Sequence, residues 1–139
     1  MNKSEKLKLI NGIVKNTLME TLNISYVDVG EDFLVATMPV NSNVHQPMGL
    51  LHGGATVALA ESVGSAASHM FIDNSSYIIK GIEITANHLK SKKEGVVTAT
   101  ATVLHKGKTT HLWKIEVTDE TGALISFCKL TNIVLPKTA

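Results

Sequence analysis

The chain has 139 residues, enough for one compact domain and too few for a second sizeable core. Hydrophobic residues make up 44% and charged residues 18%, which supplies a buried core and excludes a disordered tail. The net charge of +1 argues against a general nucleic-acid binder, which would carry a strongly basic face.

The polar, lysine-rich run 1–8 has no continuous apolar signal core. Within the N-terminal segment 1–20, Leu7, Ile10, Val14 and Leu18 recur at three- and four-residue spacing. They predict an amphipathic helix over 4–20, capped by Ser4. The period then changes: 24–29 and 33–38 flank Gly30-Glu31-Asp32 as a hairpin, and 39–48 reads as loop. A long apolar helix is predicted over 53–72. Glu61 interrupts it and it is rich in Ala, Gly and Ser, so it reads as a buried helix and not a membrane span. Four strands follow: 78–89, with Ile82, Ile84 and Ala86 on one parity; 96–104; 112–117, with Trp113, Ile115 and Val117 on one face; and 124–134. The order predicts an α+β domain, one large antiparallel sheet with a helix on one face. The single cysteine, Cys128, excludes an intramolecular disulfide and a cysteine-rich zinc site, and it fits a reducing cytoplasm.

The chemistry concentrates in His45-Gln46-Pro47-Met48-Gly49-Leu50-Leu51-His52-Gly53-Gly54-Ala55 and the helix behind it. The first N–H groups of a helix have no partner within it and carry the positive end of its dipole. Gly53 and Gly54 let a ligand approach that backbone closely, which suits a carbonyl oxygen that becomes negative during reaction. They serve equally as a tight loop-to-helix turn. Glu61 sits among Val57, Ala58, Ala60, Val63 and Gly64, a setting in which a carboxylate suits general-base or nucleophilic work. Facing solvent or pairing with a lysine is the plainer alternative. Gln46 has an amide able to donate to a carbonyl, and His52 is placed either to touch substrate or to cap the helix. Gly53 and Glu61 are about 12 Å apart along an ideal helix. If both act on one carbonyl, a second chain supplies Glu61, and a two-fold dimer carries two equivalent sites.

Together these residues resemble the hotdog-fold thioesterases related to 4-hydroxybenzoyl-CoA thioesterase of the glutamate-dependent type. The resemblance is strongest to 1,4-dihydroxy-2-naphthoyl-CoA hydrolases and the proofreading thioesterase of enterobactin synthesis. The pattern is Gln46, Gly49 to Ala55, Leu59-Ala60-Glu61 and Gly64-Ser65. It continues through Gly81-Ile82-Glu83-Ile84, Ala86 to Leu89, Leu104 to Gly107, Trp113 to Glu116 and Leu130-Thr131. The resemblance implies a curved sheet wrapped around the central helix and hydrolysis of an acyl-CoA to free acid and CoA. It gives the Gly53 amide the role of polarising the thioester carbonyl, and Gln46 that of orienting it. It places His52 near the acyl group, makes Glu61 of the neighbouring chain base or nucleophile, and gives Ser65 water or substrate to position. It places CoA along His88, Leu89, Lys90 and Ser91 and along His105, Lys106, Gly107, Lys108, Thr109 and Thr110, with Lys92 and Lys93 as further phosphate partners. It implies a homotetramer of two dimers, CoA as part of the substrate, and no other cofactor and no metal. An aromatic acyl group leads, dihydroxynaphthoyl, hydroxybenzoyl or phenylacetyl. The alternatives are a medium-chain aliphatic substrate, a non-catalytic acyl-CoA sensor, and a dehydratase or hydratase of acyl thioesters.

Overall fold

The computed structural model describes residues 1–138. Two short helices lead, α1 (Lys3–Gly12) and α2 (Leu18–Thr21), then β1 (Ser25–Val29) and β2 (Phe33–Val40). A 3-10 turn at Ser42–Val44 precedes the long helix α3 (Gly53–His69), followed by β3 (Tyr77–His88), β4 (Gly95–Lys106), β5 (Thr110–Thr118) and β6 (Leu124–Pro136). The strands form one six-stranded sheet in the order β1-β2-β4-β5-β6-β3, antiparallel at every pairing. It wraps α3 as a hotdog fold.

The core follows from two periodicities meeting. Alternate residues of β2, β4, β5 and β6 face inward, and Leu34, Met38, Val97, Ala99, Trp113, Ile115, Val117 and Leu130 are all fully buried. Against them α3 turns Leu59, Ala60, Val63 and Ala67, also fully buried. Each large side chain so buried contributes about 1.5–3 kcal/mol. Close approach depends on Gly64, where an added Cβ would stand 2.6 Å from Leu130 Cδ2. Burial pushes the Cys128 thiol up to about 11, which leaves it inert.

The structure departs from the sequence reading in four places. The predicted helix over 4–20 is two pieces, because it ends at Gly12 and the chain reverses through Asn16 at φ 62°. Its cap is Asn2, not Ser4: the Asn2 side chain accepts from Glu5 N at 2.9 Å, and Glu5 Oε2 accepts from Asn2 N at 3.0 Å. The central helix stops at His69, three residues before the predicted end, where Asn74 closes it by donating Nδ2 to His69 O at 2.9 Å. Ile82 does not share an inward face with Ile84 and Ala86. A bulge between Gly81 and Glu83 takes it out of register, and it is 58% exposed.

One polar cluster is buried between α3 and the sheet. The Ser68 hydroxyl lies 2.7 Å from Trp113 Nε1, 2.7 Å from Asn132 Nδ2 and 2.9 Å from His111 Nδ1. The indole and amide nitrogens donate, so the hydroxyl accepts twice and sends its own proton to His111 Nδ1. His111 is therefore neutral. Burial first, then the charges of Lys106 and His105, hold its pKa below the usual imidazole value.

Candidate active site

The loop before α3 is built to present one amide. Gly49 at φ 78° closes a turn in which Gly49 N donates to Gln46 O at 2.9 Å and Gln46 N to Leu50 O at 2.8 Å. His45 and Leu51 then bridge, and His52 N donates to Val44 O at 2.8 Å. His52 is the N-cap: its Nδ1 accepts from Gly54 N at 2.7 Å, and its carbonyl accepts from Ala55 N at 3.0 Å and Thr56 N at 3.2 Å. Of the two expected roles for His52, its ring performs capping. The first-turn amide left without a protein acceptor among the described residues is that of Gly53.

Gly53 lines a cleft of about 230 Å³. Gln46, Leu50, Leu51, Gly53 and Thr56 form one wall; His88, Leu89, Lys90, Ser91, Ile125 and Ser126 form the other. Gln46 Oε1 is engaged by Met48 N, so its Nε2 is the end available to a ligand. His88 lies over Gly53, where an added Cβ would meet its Nε2 at 2.8 Å, so only glycine fits beneath the ring. The ring is held from behind by a 2.7 Å hydrogen bond between Nδ1 and Ser126 Oγ.

Glu61 and Ser65 lie elsewhere. Gly54, Ala58, Glu61, Ser65 and His69 recur at three- and four-residue spacing and share one stripe of α3. That stripe lines a second cleft of about 500 Å³. Its opposite wall is Ile13, Val14, Leu18, Met19 and Tyr26. Glu61 is exposed in the single chain, not buried among its apolar neighbours. One chain thus holds the amide donor and the carboxylate in separate clefts.

The expected CoA residues also separate. His88 pairs with Ser126 and Thr110 with Ile133 along β6. Seven residues of strand put the two groups about 23 Å apart. His88 to Ser91 line the first cleft, whereas His105 to Thr110 turn beside the other end of α3, with Lys106 Nζ 4.2 Å from the centre of the Phe71 ring. Two expected phosphate partners have acidic neighbours: Lys90 Nζ is 3.4 Å from Asp119 Oδ2, and Lys92 pairs with Glu120. Among the described residues no three His, Cys, Asp or Glu side chains gather as a metal set. No described helix is long and apolar enough to cross a membrane.

The sequence reading missed Thr56 and Ser126 on the first cleft, and the apolar wall from Ile13 to Met19 on the second. The second had a visible signal, apolar residues in the N-terminal segment beyond what its own helix buries. Ser126 had none, since its role comes from cross-strand register with His88.

Residues 48–126 match the family model described as the thioesterase superfamily. The 1,4-dihydroxy-2-naphthoyl-CoA hydrolase of Escherichia coli is 41% identical, over 93% of this chain and 94% of the relative. A proofreading thioesterase of Cronobacter turicensis is 39% identical, over 93% of each chain. The crystal structure of a mutant thioesterase from Pseudomonas aeruginosa superposes with a TM-score of 0.92 at 43% identity, covering 94% of each chain.

Proposed function

The chain belongs to the thioesterase superfamily and is a thioester hydrolase, and from that premise we propose that it cleaves an aromatic acyl-CoA by the glutamate-dependent route of 4-hydroxybenzoyl-CoA thioesterases. The observation that carries this reading is the free amide at the start of α3, that of Gly53, which lines a cleft beside Gln46. The thioester oxygen binds Gly53 N–H and Gln46 Nε2, which stabilise the charge that grows on it. Glu61 comes from a second copy of the chain, because its own lies in another cleft. Glu61 takes a proton from water as the water oxygen bonds to the carbonyl carbon. The C–S bond then breaks, and the CoA thiolate takes the proton back. In the covalent variant Glu61 attacks the carbon itself, the C–S bond breaks to expel the CoA thiolate, and water opens the resulting anhydride, restoring Glu61 and giving its proton to the thiolate. Ser65, on the same face one turn on, positions the attacking group. Neither route calls for a metal or an organic cofactor.

The substrate class follows from the walls. The second cleft is largely apolar, and along α3 it shares Ile13, Ala66 and His69 with a third, of about 480 Å³, lined by Leu9, Ile10, Met70 and Ile72. This space suits a flat apolar acyl group, with 1,4-dihydroxy-2-naphthoyl-CoA the leading candidate, given that the Escherichia coli relative carries that name. The pantetheine arm follows His88 to Ser91, and His105 to Thr110 of another chain reach the nucleotide end. A homotetramer of two dimers, working in the cytoplasm, completes the proposal.

The test measures thiol release from benzoyl-, phenylacetyl-, hydroxynaphthoyl- and aliphatic acyl-CoA. Glu61→Ala is expected to lower kcat by about 10²–10⁴-fold in a folded protein. Gln46→Ala and Glu61→Ala, inactive alone, are then co-assembled in equal amounts. If the site is shared, half the dimers are mixed and each carries one intact site, so about a quarter of wild-type activity returns. No recovery in demonstrably mixed dimers places the whole site on one chain. Acyl-CoA binding without any thiol release turns the assignment to a sensor.

A further inference from the structure

The second cleft holds a polar group that the reaction does not use. Glu61, Ser65 and His69 stand at successive turns of α3 along one wall, across from Ile13, Val14 and Met19. The other polar side chains there are engaged: Ser62 Oγ donates to Ala58 O at 2.6 Å, and Tyr26 Oη donates to Ser62 O at 3.3 Å. Ser65 has its part beside the attacking group. His69, two turns beyond Glu61 and exposed, has none.

The His69 ring is held in one tautomer. Asn74 Nδ2 donates to His69 O at 2.9 Å, and a carbonyl only accepts, so the Asn74 amide has one orientation. Its Oδ1 also only accepts and lies 2.8 Å from His69 Nδ1, so Nδ1 carries the proton. In the neutral ring Nε2 is then a bare acceptor, without a hydrogen-bond partner among the described residues. An apolar cleft thus has a carboxylate at one point and a bare acceptor further along the same wall. Eight residues of helix set them about 12 Å apart. One aromatic ring fills that separation when its carbonyl carbon touches the carboxylate and an oxygen on its far side reaches Nε2.

We propose that His69 is a specificity-determining residue: its Nε2 accepts a hydrogen bond from a ring hydroxyl meta or para to the thioester carbonyl, so the enzyme selects hydroxylated aromatic acyl groups over bare ones. This rests on the reading of the protein as an aromatic acyl-CoA hydrolase that uses Glu61. An unsubstituted ring takes water from Nε2 and returns no hydrogen bond, which penalises it. An ether or keto oxygen at the same place brings only lone pairs against a lone pair.

The test measures thiol release from benzoyl-, 3-hydroxybenzoyl- and 4-hydroxybenzoyl-CoA at about pH 8, where imidazole is neutral. The quantity read is the ratio of kcat/KM for the better hydroxybenzoyl thioester to that for benzoyl. His69→Phe keeps a flat ring and removes the acceptor. The ratio is expected to fall about tenfold or more from wild type to this variant. His69→Gln returns an acceptor near the place of Nε2 and recovers part of the ratio. Each ratio is taken within one protein, so a loss of activity common to all substrates cancels. Comparing ratios between proteins also cancels the intrinsic reactivity of each thioester. A ratio that is the same in wild type and His69→Phe overturns the role of His69, while Glu61→Ala still abolishes turnover. Aromatic thioesters that are not cleaved at all, or are cleaved undiminished by Glu61→Ala, remove the parent reading and the role of His69 with it.

Discussion

The sheet has two edges, and they are finished differently. At β1 the strand has five residues and a bulge after Tyr26, and α1 covers it. Asn11 acts as a substitute strand: its Nδ2 donates to Tyr26 O and its Oδ1 accepts from Tyr26 N, both at 2.8 Å. At β3 the edge strand has 12 residues, and most are exposed. Ile82 at 58% exposure and Tyr77 at 42% add apolar surface, and no described element covers this edge. A long unprotected edge pairs with another strand. The contrast teaches that β1 is a finished boundary whereas β3 is left open, and on the two-chain reading proposed above β3 is the edge that a second chain would meet.

The largest expected effect comes from blocking the open edge. Ile82→Lys places a charge on the open edge, and light scattering is expected to show monomers. If activity depends on shared sites, kcat/KM falls by about 100-fold or more. A monomer that keeps full activity ends the two-chain argument. Next in size is the finished edge. Asn11→Ala removes both bonds to Tyr26 and should cost about 1–3 kcal/mol in denaturant unfolding, with the oligomer unchanged. A change of oligomer instead shows that β1 also joins chains.

The smallest effect is at the exit of β3, where the segment to β4 is tied to the β5–β6 turn. Lys92 pairs with Glu120, whose Oε2 also accepts from Val96 N at 3.0 Å. The Lys92 hydrogen bond foremost, with backbone N–H groups, lowers Glu120 from 4.5 to about 2. A carboxylate with a lowered folded pKa contributes stability that is complete above 4.5 and disappears as pH falls through about 2. Glu120→Gln should therefore flatten the fall of the thermal midpoint across that window. An unaltered slope in the variant shows that the tie contributes nothing.

Where periodicity was strong, the sequence was legible. Trp113, Ile115 and Val117 alternate on β5 as expected, and the small residues of α3 permit the close approach seen at Gly64. Legibility failed where a single residue changes the backbone's course: Asn16 splits the first helix and the bulge at Ile82 breaks the parity of β3. In the site, Gln46, Gly53, Glu61 and Ser65 were all named from the motif. That Gly53 has the free amide required knowing that His52 caps Gly54 through its own ring. The buried Asn132 was invisible, because nothing in Leu-Thr-Asn-Ile signals that its amide is held by Gly64 O and Ser68 Oγ of α3.

The sequence by itself determined the order of elements and the inward face of most strands, and it supplied the candidates for polarising and attacking a carbonyl. These depend on spacing along the chain and on the chemistry of side chains. Only the tertiary structure decided which groups share a space. Gly53 and Glu61 fall in different clefts because successive stripes of one helix face different neighbours, and His88 comes over Gly53 because antiparallel register sets it beside Ser126. Such proximities arise between residues far apart in the chain, where local spacing carries no information about distance.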